Sequence, residues 1–215
     1  MQQLTRNHRP GAGRPTREQA EQRHEELLDR ALELFLERGF ELVTMEAIAA
    51  AVGMTKRTVY ARYEDKRALF KAAVQRAVDR WIVPVETLQA VETDDLETTL
   101  IEVARIRLAN AISPTGLRLQ RIVNAESYRF PEIFDQSFDQ GTRPTLAYLA
   151  DLLKRHAAKG EVQIEDADIA ASVFLSMVIG GPIRTAVHGR PIDTTAYDDR
   201  IQICVRMFLN GVRPR

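Results

Sequence analysis

The chain has 215 residues, 45% of them hydrophobic and 28% charged, a make-up that fits one globular domain or two small ones. Lys and Arg number 30, as do Asp and Glu, so the formal net charge is zero and binding to nucleic acid by bulk charge alone is excluded. Cys204 is the single cysteine, which rules out an intrachain disulfide framework and suits a reducing compartment.

Residues 1–17 hold Arg6, Arg9, Arg14 and Arg17 with no acid, among Pro10, Gly11, Gly13 and Pro15. They read as a disordered basic arm. Gly13-Arg14-Pro15 has the form of a segment that lies in a DNA minor groove, with Arg14 as the contact. An unstructured tail with incidental charge fits the same residues. Thr16 then caps a first helix that runs to about Arg38, with Ala20, Leu27, Leu28, Ala31, Leu32 and Phe35 on one face. Gly39 ends it, and Phe40 and Val43 lead into Thr44, a cap for the next helix.

Residues 44–63, TMEAIAAAVGMTKRTVYARY, read as two short helices around a tight turn. Ile48, Ala49 and Val52 recur at helical spacing, Gly53 makes the corner, and Thr55 caps the second helix. Val59 points inward, leaving Lys56, Arg57, Thr58, Tyr60 and Arg62 outside. That register is a helix-turn-helix, whose second helix enters the DNA major groove. A plain helical hairpin with a solvated basic face is the alternative. Lys56 and Arg57 are suited to guanine acceptors, and Thr44 and Lys66 to phosphates. After Glu64-Asp65-Lys66 a connector helix follows over about 66–83, with Leu69, Phe70, Ala73, Val74, Ala77, Val78 and Trp81 as its apolar stripe, and Pro84 ends it.

The segments ALELFLERGF, TMEAIAAAVGM, TKRTVYARY and EDKRALF together resemble the DNA-binding domain of the tetracycline-repressor family. The resemblance implies phosphate contacts from Thr44, Tyr60 and Lys66, base reading by Lys56, Arg57 and their neighbours, and packing of Tyr63 at the end of the recognition helix. It also implies an all-α homodimer that represses transcription until a small molecule binds the other domain. The DNA-contacting set is therefore Arg14, Thr44, Thr55, Lys56, Arg57, Thr58, Tyr60, Arg62, Tyr63 and Lys66.

Beyond Pro84 all stretches read as helical. Leu96, Leu100, Val103, Ala104, Leu108 and Ala111 form one stripe, stopped at residues 113–116. Leu117, Leu119, Ile122, Val123 and Ala125 form the next. Phe130-Pro131 opens a helix with Ile133, Phe134 and Phe138 that Gly141 breaks, and Thr142 and Pro144 open another that Gly160 closes. The stretch LQRIVNAESYRFPEIFDQSFDQG resembles the ligand-binding domain of the AefR-like branch of the same family. An apolar or amphipathic effector is expected there, among Arg105, Leu108, Arg121, Asn124, Phe134, Phe138 and Leu149. Glu126, Tyr128 and His156 are further polar residues of this region, and structural pairing or solvation is the alternative for each polar group.

Residues 167–187 are apolar on more than one face, and residues 197–212 carry a second stripe. Two such helices per subunit suggest a four-helix dimer interface through Ile169, Val173, Met177, Ile201, Val205 and Phe208. A central helix buried within one chain is the alternative. Gly180-Gly181-Pro182 is expected to kink or interrupt the first of them. No apolar run is expected to span a membrane, and the N-terminus has no signal-peptide core.

No metal-ligand spacing, nucleophile elbow, phosphate loop or dinucleotide fingerprint is present in the sequence. No metal, cofactor or enzymatic activity is expected. The expected protein is an all-α cytoplasmic regulator with no membrane partner. It has an arm (1–17), a three-helix head (18–65), the connector (66–83) and a ligand-binding and dimerisation domain (84–215). Its partners would be a pseudo-palindromic double-stranded operator, a small-molecule effector and a second copy of the chain. A constitutive regulator without effector, and a small helical enzyme or interaction module, are the competing readings.

Overall fold

The computed structural model describes residues 16–190 and 196–214. Arg14 and the rest of the arm up to residue 15 lie outside the described residues. The chain divides into two compact units at Ala73 and Val74, and no strand occurs among the described residues.

The first unit holds α1 (Arg17–Leu42), α2 (Met45–Ala51), α3 (Lys56–Tyr60) and the start of α4 (Lys66–Trp81). Thr16 opens α1 with a capping box: the Gln19 N–H donates to Thr16 Oγ1 at 3.2 Å, and the Thr16 N–H donates to Gln19 Oε1 at 3.0 Å. Gly39 breaks the α1 geometry with φ 76°, a conformation that a side chain disfavours. The break lets Phe40 turn back onto the core. There Phe70 meets Phe35 edge-on at 4.9 Å and Phe40 at 5.2 Å. Leu27, Ile48, Val59, Leu69 and Phe70 are fully buried, each such side chain contributing roughly 1.5–3 kcal/mol of apolar burial.

The second unit holds the rest of α4 and α5 (Val85–Gln89), α6 (Leu96–Ala111), α7 (Pro114–Glu126) and α8 (Pro131–Ser137). A π-helical turn (Phe138–Thr142) leads to α9 (Arg143–Ala158), followed by α10 (Ala167–Val187) and α11 (Ala196–Val212). Helix α10 packs against α6, α7, α9 and α11, which explains its two-sided apolarity. By length and composition α10 is long and apolar enough to cross a membrane, contrary to the expectation that no run would be. Its Ala171, Phe174, Leu175 and Val178 are buried against protein. It also runs unbroken through Pro182 to Val187 rather than being interrupted, forgoing the one backbone hydrogen bond that a proline cannot donate.

Two punctuation marks in the sequence have other uses than stopping a helix. Ser113 follows the end of α6 at Ala111, as expected, but it does more than mark a stop. It caps α7, with the Gly116 N–H donating to its Oγ at 3.0 Å and Pro114 in the first turn. Gly141 does not break the chain. It lies inside the π-helical turn and is buried. A Cβ there would come within 2.1 Å of the Trp81 ring, and one on Gly116 within 2.9 Å of Trp81 Nε1. The two glycines are the room in which the indole fits. Gly141→Ala should therefore lower the stability of this unit by about 1–3 kcal/mol through overpacking. Denaturant unfolding followed by fluorescence of Trp81, the chain's single tryptophan, measures it. An unchanged midpoint would contradict the close fit.

Candidate nucleic-acid interface and effector region

Two capped turns build the basic surface of the first unit. The Ala47 N–H donates to Thr44 Oγ1 at 3.1 Å, and the Thr58 N–H donates to Thr55 Oγ1 at 3.2 Å. Between them Gly53 takes φ 62°, and the Met54 N–H returns to the Ala49 carbonyl at 2.9 Å. Val59, with no exposure, is the inward anchor of α3. With that side buried, Lys56, Arg57, Thr58, Tyr60 and Arg62 lie exposed, together with Thr44 and Thr55.

Their electrostatic states differ. Lys56 is ion-paired with Glu46 of α2 and lies 5.4 Å from the Tyr60 ring centroid. The hydrogen bond to Glu46 raises the lysine above its ordinary range and lowers the glutamate. Both side chains are more than half exposed, so water screens the pair and it is weakly held. Arg57 makes no ion pair among the described residues, leaving its full donor fork available. Thr58 Oγ1 is engaged with Thr55 Oγ1 at 2.8 Å.

Tyr63 is half-buried and shares a 2.5 Å hydrogen bond with His24 of α1, the two rings stacked at 5.9 Å. Burial raises its phenol above the usual range. Lys66 donates to the Phe40 carbonyl at 2.8 Å and the Glu41 carbonyl at 3.1 Å, and sits 4.5 Å over the Phe40 ring. Two of its three donors therefore close the end of α1, where a cation also offsets the helix dipole. The ammonium has one further donor.

In the second unit the expected effector residues fall into different surroundings. Leu108 and Leu149 are core side chains. Arg105 is on the outside, ion-paired with Glu102 and, at 2.9 Å, with Asp198. Arg121 and Asn124 are exposed on α7, the Asn124 carbonyl oxygen accepting from Gln120 at 2.9 Å. Phe134 is exposed and stacks on Phe138 at 6.0 Å. His156 is buried and bonded to Glu161 at 2.6 Å, a structural pairing.

The buried cation of α6 is one that sequence reasoning missed. Arg107 is 1% exposed. It stands within the stripe Val103, Ala104, Leu108, Ala111, at the spacing of an inward position, and that register was the available signal. Burial lowers its guanidinium to about 10, still a cation at neutral pH.

The expected dimer residues also divide. Ile169, Val173 and Met177 of α10 are exposed or half-buried, whereas Ile201, Val205 and Phe208 are buried inside their own unit. On α11 the exposed apolar residues are Ile203 and Met207. The larger stripe on that helix faces α6 and α10, and the outward one lies about two positions away. A shallow groove is lined by Ile169, Val173, Met177, Met207 and Val212. Cys204 is buried, its thiol donating to the Met177 carbonyl at 3.4 Å. Among the described residues no group of three His, Cys, Asp or Glu side chains is placed to hold a metal ion.

Comparison with known proteins finds relatives over most of the chain. Residues 27–73 fit the profile described as bacterial regulatory proteins, tetR family, and residues 98–211 fit the C-terminal domain of AefR-like transcriptional repressors. The chain is 29% identical over 195 residues to the HTH-type transcriptional repressor BepR of Brucella suis, covering 87% of this chain and 92% of that one. Among solved structures it is similar to the flavonoid-responsive regulator FrrA, with 30% identity, TM-score 0.66 and coverage of 90% of this chain and 99% of that one. A tetR-family structure from Mesorhizobium loti shares the fold at 24% identity and TM-score 0.72, covering 93% and 100%.

Glu46 holds the Lys56 ammonium in the free chain, so it would compete with DNA if Lys56 is a contact. Glu46→Gln should therefore tighten DNA binding at low salt and steepen its dependence on salt by about one counterion. Band-shift titrations across a salt series read both, and a slope equal to the parent's would mean that Lys56 does not reach DNA.

Proposed function

The chain belongs to the tetracycline-repressor family of DNA-binding transcriptional regulators and is not an enzyme; on that footing we propose that it is a cytoplasmic, homodimeric repressor that leaves its operator when a small molecule binds the second unit. The observation that carries the DNA-reading part is α3. It is a helix held by one buried valine and the Thr55 cap, and it presents Arg57 with no competing acid, Lys56 with a weakly held one, and Tyr60 beside them. Lys56 and Arg57 donate to guanine acceptors in the major groove. Thr44, Thr55, Thr58, Tyr60, Arg62, Tyr63 and the remaining donor of Lys66 hold the backbone around them, and Arg14 reaches the adjacent minor groove.

A five-residue reading helix covers too few base pairs to specify a site alone, so two copies on a pseudo-palindromic operator are required. The exposed stripe Ile169, Val173, Ile203 and Met207 supports pairing of α10 and α11 with their copies into a four-helix interface. The flavonoid response of FrrA supports an effector for this chain too. Such a ligand releases DNA only if it binds the DNA-incompetent state more tightly than the competent one.

A genome-wide footprint of the bound sites tests the reading. Arg57→Ala should weaken the strongest site by about 1–3 kcal/mol while leaving helix content intact; unchanged affinity would place the reading face elsewhere. For assembly, Val173→Asp combined with Met207→Asp should convert a sedimenting dimer to monomer and abolish operator binding. A dimer that survives both changes would contradict the four-helix interface.

A further inference from the structure

Five buried side-chain nitrogens of the second unit have no acceptor among the described residues, and three of them lie together: Nε and Nη1 of Arg107 and Nε1 of Trp81. They are neighbours, for the Arg107 guanidinium lies 5.4 Å from the Trp81 ring. The remaining nitrogen, Nη2, reaches the Gly141 carbonyl only at 3.4 Å, the long end of a hydrogen bond. No carboxylate pairs with Arg107 among the described residues, and burial alone accounts for its lowered pKa, with no acid acting on it. A cation taken out of water without a counter-charge is strongly destabilising. Here it is held in place by a helix whose neighbouring inward positions, Ala104, Leu108 and Ala111, are apolar.

The donors are also held in position. Gly116 and Gly141 fit closely against the indole, and the Asn110 side-chain amide donates to the Trp81 carbonyl at 3.1 Å. Gly141 belongs to a π-helical turn, an arrangement frequent at functional sites. Next to it the stacked Phe134 and Phe138 leave Phe134 exposed. Positive charge, directed N–H groups and apolar walls together match one ligand chemistry.

We propose that Arg107 and the Trp81 indole N–H form the anion-recognising centre of the effector site, and that the effector is an organic carboxylate with an apolar body. One carboxylate oxygen accepts from the guanidinium and the other from the indole, while the body replaces apolar contacts around α6 and α8. Trp81 is the last residue of α4, the helix whose first turn belongs to the DNA-binding unit, so an occupant that bonds the indole acts on the element common to both units. That regulatory consequence rests on the effector-release reading above; the anion site does not.

Trp81 is the single tryptophan, so its fluorescence in the full chain reports on the site without DNA. The titrants are benzoate and octanoate, with benzamide and octanamide as neutral counterparts, at one fixed ionic strength. At least one acid should give a saturating change, its amide binding about tenfold more weakly or worse, the scale of a charge-assisted hydrogen bond. Arg107→Met should abolish the acid response and Arg107→Lys should restore part of it. Because Arg107→Met removes an uncompensated charge, its denaturation midpoint should be equal to the parent's or higher. A flat response to both acids, equal responses to acid and amide, a response retained in Arg107→Met, or a lowered midpoint in that variant would each overturn the site. Band shifts with the same titrants separate the two readings. An acid that binds through Arg107 yet leaves the operator complex intact would keep the site and overturn its role in release. Release by the amides with Arg107→Met unaffected would keep release and overturn the site.

Discussion

One helix is buried at both of its ends, by different means, and the two units depend on it. At its start α4 gives Leu69, Phe70 and Ala73 to the core of the first unit. Phe70 fills the angle between Phe35 and Phe40, and Lys66 closes α1 over it. At its end α4 gives Trp81 to the second unit, where two glycines make the space for the ring and Arg107 covers it. Close-packed interiors do not deform continuously. A side chain gripped as Trp81 is can move only by shifting its helix or the segments that grip it.

The reading surface depends on the same physics at smaller scale. Thr44 and Thr55 are spent on helix caps, so their hydroxyls are positioned rather than free. Lys66 is spent on α1. What remains uncommitted is a short set on α3, with Arg57 the least encumbered cation. On the proposed reading, specificity from so small a set calls for two copies of the chain, and the exposed apolar stripe on α10 and α11 is the surface we propose for pairing them.

Much of the head was legible in sequence because its determinants are local. Gly39 and Gly53 take positive φ, Thr16, Thr44 and Thr55 cap, and Val59 is buried, all at the positions that the residue pattern indicated. In the second unit the determinants are long-range, and the same reasoning served less well. Gly141 looks like a helix stop, but its use is to admit a ring from sixty residues earlier in the chain. Ser113 and Pro114 follow the end of α6, as the pattern indicated, but they also begin the next helix, ahead of its first stripe residue Leu117. The stripe on α11 was visible, yet which of its two faces is turned outward depends on α6 and α10, so Ile201 and Val205 proved internal where Ile203 and Met207 are exposed. Arg107 shared the register of its apolar neighbours, and only the packing of Trp81 shows what that position holds.

The central claim is that a pair of α3 helices reads a defined DNA sequence. Selection from a pool of randomised duplexes by the purified full chain, followed by sequencing of the retained DNA, tests it most directly. The predicted result is one enriched pseudo-palindrome whose half-sites lie about one helical turn apart, or a multiple of it, with no enrichment by a variant carrying Arg57→Ala and Tyr60→Ala together. Retention of DNA that falls with salt but enriches no motif would contradict it.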